Sequence, residues 1–414
     1  MDETSTLRGA RQSREGGITY FQSLSVAGFA ATAISYGPGR MGFGLFVPEF
    51  RSAFSMSTSQ IGFVSSLGFF GFFLGLLVAQ GLLMRRGPQV PVLSGLIAAT
   101  LGMSVVAVAQ NVFVLAVGVF FAASSAGFAW TPFNDAVHRK VRDVDRPRAL
   151  SEISTGTSVG IAAAGLAALA MVMMGLSWRL CWTGFAVASA LALLANHAAL
   201  RDVERDPNGI PEKGWRELLR SGALPLFVIA FVYGITSAVY ISFAADHMLD
   251  RGGVPGLPAA ATPGLVFVVY GLFGLAGLFT GRVKTAIGLP WLLRFVMLAG
   301  ALSLALAAIL PDSWAGLVPS AGLQGVHVMM TSAVLAVWSE RLFPALPSLS
   351  FTAALLATAA GSVLGPAIAG VAADAIGTGA TFLGVALLPA ATAVLLRDRH
   401  ASDRPLRVPA AMHG

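Results

Sequence analysis

One arginine, Arg40, interrupts the apolar stretch SYGPGRMGFGLFVPEF at residues 35–50. A guanidinium is a planar fork that bonds carboxylate or phosphate at two points, so the chemistry it offers inside an apolar segment is anion recognition. The neighbouring Gly37, Gly39 and Gly42 spell G-x-G-x-x-G. That pattern marks a dinucleotide turn only after a strand, before a helix, and with an acidic residue about 20 positions on. Here the following residues are rich in Phe, Leu and Gly, and Gln60 stands where the acid is needed. The glycines therefore read as close packing and a kink at Pro38, whose ring removes a backbone donor. A second match, GTSVG at 156–160, fits the G-x-S-x-G nucleophile turn, but it lies in an apolar helical run, and its repeat partner carries Leu364. Neither a Walker loop nor a metal-ligand cluster nor a pair of deep carboxylates is present, so we expect no cofactor, no metal, no enzyme and no ATP-driven pump.

The elements that carry Arg40 follow from composition. Over 414 residues, 56% are hydrophobic and 11% charged, with a mean hydropathy of +0.75. So little charge cannot cover a water-facing globule, and the chain is read as a polytopic protein of the lipid bilayer. A span needs about 20 mostly apolar residues. Twelve such runs lie near 22–47, 60–83, 89–109, 112–133, 150–174, 179–199, 223–245, 263–281, 291–310, 314–337, 349–373 and 379–396. They are continuous rather than alternating, which excludes a β-barrel and leaves helices. A single cysteine, Cys181, forms no internal disulfide. Arg8, Arg11 and Arg14 precede a long apolar run without a small-residue cleavage site, the pattern of a tail and first span rather than a signal peptide.

Basic residues orient the spans. With the N-terminus inside, 22 of the 27 Lys and Arg fall in inner loops and tails. Arg51, Arg179 and Arg251 fall outside, while Arg40 and Arg294 lie in or beside spans. The positive-inside rule then places both termini in the cytoplasm of a bacterial-type inner membrane. The net charge of +7 is explained by topology and anionic lipid rather than nucleic acid. The expected organisation is a tail (1–21), a six-helix bundle (22–200), a cytoplasmic linker (201–222), a second bundle (223–396) and a tail (397–414).

The two bundles repeat. Gly156, Gly160 and Gly165 in span 5 recur with identical spacing as Gly361, Gly365 and Gly370 in span 11, 205 residues on. The loop QGLLMRRG ends at Gly87 and GRVKTAIG at Gly288, 201 residues on. An even number of spans per copy makes this a parallel repeat. The glycine ladders are expected to be helix-packing surfaces, placed at the interface between halves.

At these residues the sequence resembles the major facilitator superfamily of secondary transporters, over nearly the whole chain. The two loops are similar to that family's inner-loop signature G-x-L-x-D-R-x-G-R-[RK] in degraded form. Arg85 and Gly87 match in the first copy, where Gln80 and Met84 replace Gly and the acid; Gly281 and Gly288 match in the second, where Thr285 replaces the acid. GSVLGPAIAG is similar to the family's Gly-Pro pattern in spans 5 and 11, and the G-x-G-R of span 1 resembles a poorly characterised bacterial branch. The resemblance implies two six-helix bundles rocking by alternating access about a site lined by spans 1, 4, 7 and 10. The expected partners are a small-molecule substrate, the lipid bilayer and, if an ion is coupled, a proton, with the chain expected to act as a monomer.

Within that frame three readings of Arg40 stay open: snorkelling to headgroups, pairing with Asp246 near the outer end of span 7, or binding a transported anion. Tyr36, Trp130, Tyr233, Tyr240, Gln324 and His327 supply polar and aromatic groups on the four lining spans. His327 is the candidate proton carrier. Asp135 and Glu152 are expected to pair with Arg139, Arg146 or Arg148. The expected function is secondary transport of a small organic anion; the alternative is proton-driven efflux of hydrophobic drugs or sugars, with Arg40 structural.

Overall fold

In the computed structural model, the described residues are 20–142, 144–201, 218, 221–398 and 401, so most of the 201–222 linker and of both tails lies outside them. The described residues are helical, without strands. Eleven helices are long and apolar enough to cross a membrane: Thr58–Arg86, Gln89–Ala107, Val112–Val137, Arg148–Met173, Trp178–Leu200, Leu224–Asp250, Ala259–Ile287, Leu289–Ile309, Trp314–Leu342, Leu349–Ile376 and Thr378–Leu395. These are spans 2 to 12. Span 1 is broken into Tyr20–Ile34, Ser35–Met41, Gly42–Leu45 and Val47–Phe54, so no single piece reaches spanning length.

The break has a local cause. Ser35–Met41 is a π-helical turn with Pro38 inside it. Proline supplies no N–H to the ladder, and a turn of wider pitch accommodates the lost bond. Glycine on either side lets other backbones close in: a Cβ on Gly37 would strike the Gly160 carbonyl, and one on Gly39 would meet Ser125 Oγ at 2.9 Å. Arg40 is thus carried on a widened turn rather than a regular one.

The outer surface is apolar. Val394, Phe113, Val108 and Leu387 are each more than two-thirds exposed, as lipid-facing side chains are. Exposed Trp291 and Trp314 sit near helix ends, where indole suits a bilayer interface.

Two six-helix bundles pack with approximate two-fold correspondence, which the glycine ladders display. Gly156 and Gly160 of span 5 abut Phe29 and Ala33 of span 1; Gly361 and Gly365 of span 11 abut Phe231 and Ile235 of span 7. These contacts lie inside each bundle. Only the third glycine of each ladder crosses between bundles: Gly165 meets Gly264 and Val268 of span 8, and Gly370 meets Thr58, Ser59 and Gly62 of span 2. Expected wholly between the halves, the ladders divide two to one, because a helix turning 100° per residue cannot keep one face toward both neighbours.

Candidate functional site

Near the middle of the bundle, a small chamber of about 50 Å³ is lined by Arg40, Tyr36, Trp130, Ser154, Thr157, Tyr233 and Ser332, with Phe351 and Leu355. It adjoins a larger cavity of about 270 Å³ that shares Trp130, Ser154, Met329, Ser332 and Phe351 with it. The larger cavity lies toward the end where span 1 begins and span 12 finishes, between spans 4 and 5 of the first bundle and spans 8, 10 and 11 of the second, while the chamber is lined by spans 1, 4, 5, 7, 10 and 11.

Arg40 is 8% exposed and stands on the chamber wall rather than the lipid-facing surface. Aromatic faces hold it: its guanidinium carbon lies 4.4 Å from the Phe72 ring centre, 5.5 Å from Phe69 and 5.8 Å from Tyr36. Ring faces are negative, so three of them partly offset a cation that has left water. They are not hydrogen-bond acceptors of carboxylate strength. Among the described residues Arg40 makes no ion pair or hydrogen bond, and its Nε is buried without a partner. Tyr233 of the second bundle lines the same chamber. Tyr240 and Tyr270 pack on each other, their ring centres 6.4 Å apart, outside the chamber lining.

The residues singled out in the sequence separate into two groups. Tyr36, Trp130 and Tyr233 line the chamber with Arg40. Tyr240, Gln324 and His327 do not. The Tyr240 hydroxyl is 3.1 Å from Ser320 Oγ, within a buried link that joins Ser303 and Ser320. His327 is fully buried, and its Nδ1 donates to the Val296 carbonyl at 2.7 Å, which fixes the tautomer and leaves Nε2 without a partner. Its ring faces Tyr233, edge to face at 5.5 Å, and closes against Gly300. Gln324 is fully buried, with both side-chain polar atoms unpartnered.

Asp246 pairs with a different arginine from the one considered in the sequence. Arg51 Nη2 donates to Asp246 Oδ2 at 2.6 Å and Nε to the same oxygen at 3.1 Å, while Nη1 donates to the Met56 carbonyl. This pair ties span 1 to span 7 at the end of the bundle opposite the termini. Beside it, Asp374 of span 11 accepts from the Thr58 and Ser59 N–H groups at 3.2 and 2.9 Å, and so caps the start of span 2. A carboxylate at a helix N-terminus meets orphan donors and the positive end of the helix dipole. Gly44 packs on the Ile241 backbone along the same seam between spans 1 and 7. The far end is therefore held shut by groups from both bundles. Near the other end, Arg139 pairs with Asp135 at 2.6 Å and Arg148 with Glu152 at 2.9 Å.

Arg51, Ser154, Thr157 and Ser332 carry the arrangement but were not singled out in the sequence. A broken first helix, glycine contacts repeated across two bundles, and a central chamber are features that a family comparison can test. Residues 28–283 match the sequence profile of the Major Facilitator Superfamily. The chain belongs to this superfamily. A bovine relative (Bos taurus), "Monocarboxylate transporter 13", is 28% identical over 256 residues, covering 59% of this chain and 57% of that protein. The match thus spans little more than half of the relative's length.

Among solved structures, a bacterial homologue of the human lysosomal transporter Spinster, inward-facing and unoccupied, superposes with a TM-score of 0.74 at 16% identity, covering 94% of this chain and 99% of that one. A point mutant of the nucleoside transporter NupG gives 0.69 at 14%, covering 92% and 100%. A peptide transporter POT in complex with sulfate gives 0.73 at 15%, covering 92% and 94%. At these identities the likeness establishes the fold. This facilitator-superfamily member has a closed far end, and its larger cavity lies in the half where span 1 begins and span 12 finishes.

Proposed function

We propose that this protein transports small organic anions by alternating access and that Arg40 is the group that holds them. The observation that carries the reading is a buried guanidinium with no hydrogen-bond partner among the described residues, on the wall of a central chamber. A cation at that depth, offset only in part by ring faces, is costly. An anion entering the chamber supplies the missing acceptors through a charge-assisted contact. The name of the bovine relative, a monocarboxylate transporter, agrees with an acid as cargo. By the distribution of basic residues, the termini and the chamber face the cytoplasm of a bacterial-type inner membrane, so the arrangement corresponds to a carrier loaded from inside.

Vesicle uptake and thermal shift with a panel of carboxylates test the proposal. Arg40→Ala is expected to abolish anion-dependent stabilisation and uptake while the protein stays folded. Arg40→Lys keeps the charge but loses the fork, and is expected to weaken binding about tenfold, a single hydrogen bond to a charged group. Undiminished anion binding by a folded Arg40→Ala protein would overturn the proposal and leave the efflux of uncharged compounds as the better account.

A further inference from the structure

The wall that joins the two cavities has a chemistry of its own. Ser151, Ser154, Thr155 and Ser158 follow one another on span 5 within two helical turns, at the three- and four-residue spacings that share one helix face. All four line the larger cavity. From Ser151 to Ser158 the stripe rises about 10 Å at 1.5 Å per residue. It reaches Arg40, because Ser154 belongs to both cavities, as does Ser332 on span 10.

Many helical hydroxyls in this fold bond their own backbone, while those of Ser25, Ser66, Thr131 and Thr331 are buried without a partner among the described residues. Thr32, Thr236, Ser242, Thr358 and Thr381 each donate to the carbonyl four residues earlier. On the stripe Thr155 does the same, donating to the Ser151 carbonyl at 2.8 Å. Ser154, Thr157 and Ser332 are different: among the described residues, none of them makes a side-chain hydrogen bond. The three hydroxyls next to the unpartnered guanidinium are thus themselves unengaged. Across the cavity stand Leu275, Leu278 and Met329, which offer only apolar surface. Arg40 is the single charged residue among those lining the two cavities.

We infer that the substrate is a polyhydroxylated monocarboxylate, of the aldonate class, whose carboxylate meets Arg40 and whose hydroxylated edge runs along the span 5 stripe with Ser154 and Ser332 as its first contacts. This rests on the proposed role of Arg40 and adds the recognition of the rest of the molecule. A polyol chain has one edge of hydroxyls and one of C–H groups, which fits a cavity with one hydroxyl wall and one apolar wall. Hydroxyls both donate and accept, so each meets Ser or Thr without strict orientation. One cation with no second one nearby favours one carboxylate. A second carboxylate pushed into the cavity would lie unpaired against leucine and methionine, which is costly.

Three probes of equal carbon number separate the contributions: gluconate, hexanoate and glucarate. Thermal shift on the full-length purified protein is expected to rank gluconate above hexanoate by about tenfold in half-saturating concentration, the worth of one or two hydrogen bonds. Glucarate is expected to bind about tenfold more weakly than gluconate, or weaker still. The Ser154→Ala/Ser332→Ala double variant is expected to erase the preference over hexanoate while keeping hexanoate binding, which reports that it has folded. Absence of gluconate binding, equal or tighter binding of hexanoate, equal binding of glucarate, or an unchanged preference in the double variant would each overturn the inference. In the last three of these results, loss of hexanoate binding in Arg40→Ala would leave the anion reading standing. Retention of all binding by Arg40→Ala would instead remove that reading.

Discussion

Arg40 and Arg51 lie on one broken helix, eleven residues and about three turns apart, yet their surroundings differ in kind. Arg51 directs its fork at Asp246 and at the Met56 carbonyl. Arg40 has three ring faces and no acceptor among the described residues. A guanidinium whose donors are met by the protein joins two elements and has nothing left to offer a ligand. One whose donors are unmet destabilises the empty state and is ready to bind. The same residue type thus joins two elements at the far end and, under the proposed function, serves as a receptor in the middle.

The contrast breaks most readily at the latch. Arg51→Ala leaves the Asp246 carboxylate, 4% exposed, without its cation. Removing one partner of such a buried pair costs on the order of 3 kcal/mol. Thermal unfolding in detergent is expected to show the loss, and Arg51→Ala/Asp246→Ala to recover part of it, because the orphan charge is gone. A single variant as stable as the parent, with no recovery to make, would show that the far end is held by something else.

A packing change between the bundles asks whether the latch is electrostatic alone. Gly165 meets the backbone of Gly264 and Val268 across the two bundles. Gly165→Leu cannot be accommodated without parting spans 5 and 8, at about 1–3 kcal/mol. Cysteine labelling at the far end is expected to rise in this variant with the Arg51–Asp246 pair intact in sequence. Labelling equal to the parent's would mean that the charged pair alone seals that end.

Weaker still is the tie made by Asp374 to the Thr58 and Ser59 amides. Asp374→Asn keeps the shape and removes the charge at the helix N-terminus, worth about 0.3–1 kcal/mol at an exposed site. The expected result is a small drop in stability that shrinks as salt is raised. A loss as large as that of Arg51→Ala would give Asp374 a share in the latch equal to Asp246.

How much of this was legible in the sequence depends on what each feature must obey. Spans 2 to 12 were legible because every stretch crossing lipid must be apolar throughout, and a run of that kind has no second reading at that length. Span 1 was legible as apolar, and Pro38 as a break, but the π turn that splits it was not. Arg40 stood out because depth makes a charge costly. Its lack of a partner was not readable, since a sequence gives a residue's depth but not its direction around the helix. For that reason Asp246 was weighed against Arg40, while Arg51 was counted only as an outer-loop charge. Gln324 and His327 lie on span 10, a span expected to line the site, yet neither is among the residues lining the chamber. The span 5 hydroxyls share their helix with a glycine ladder and read as ordinary small residues at a helix contact. What distinguishes Ser154 from Thr155 is whether the hydroxyl bonds its own backbone, and that is visible only once the helix has neighbours.

The smallest expected effect is on stability when Arg40 itself is removed, and it decides the comparison. Arg40→Met keeps an unbranched side chain of similar reach against Phe69, Phe72 and Tyr36, and thioether contacts with aromatic rings are favourable. It gives up three cation–ring contacts, each worth about 0.5–2 kcal/mol, and at the same time relieves the desolvation of a guanidinium with an orphan Nε. Replacing an unsatisfied buried charge by an apolar side chain of similar volume is commonly neutral or favourable. We therefore expect the unliganded Arg40→Met protein to unfold within about 1 kcal/mol of the parent, opposite in character to Arg51→Ala. The parent is expected to gain stability with added carboxylate, as any ligand that binds only the folded state confers, and Arg40→Met to gain none. If unliganded Arg40→Met instead falls as far as Arg51→Ala, the guanidinium is holding the bundle together, and the two arginines of span 1 do one job rather than two.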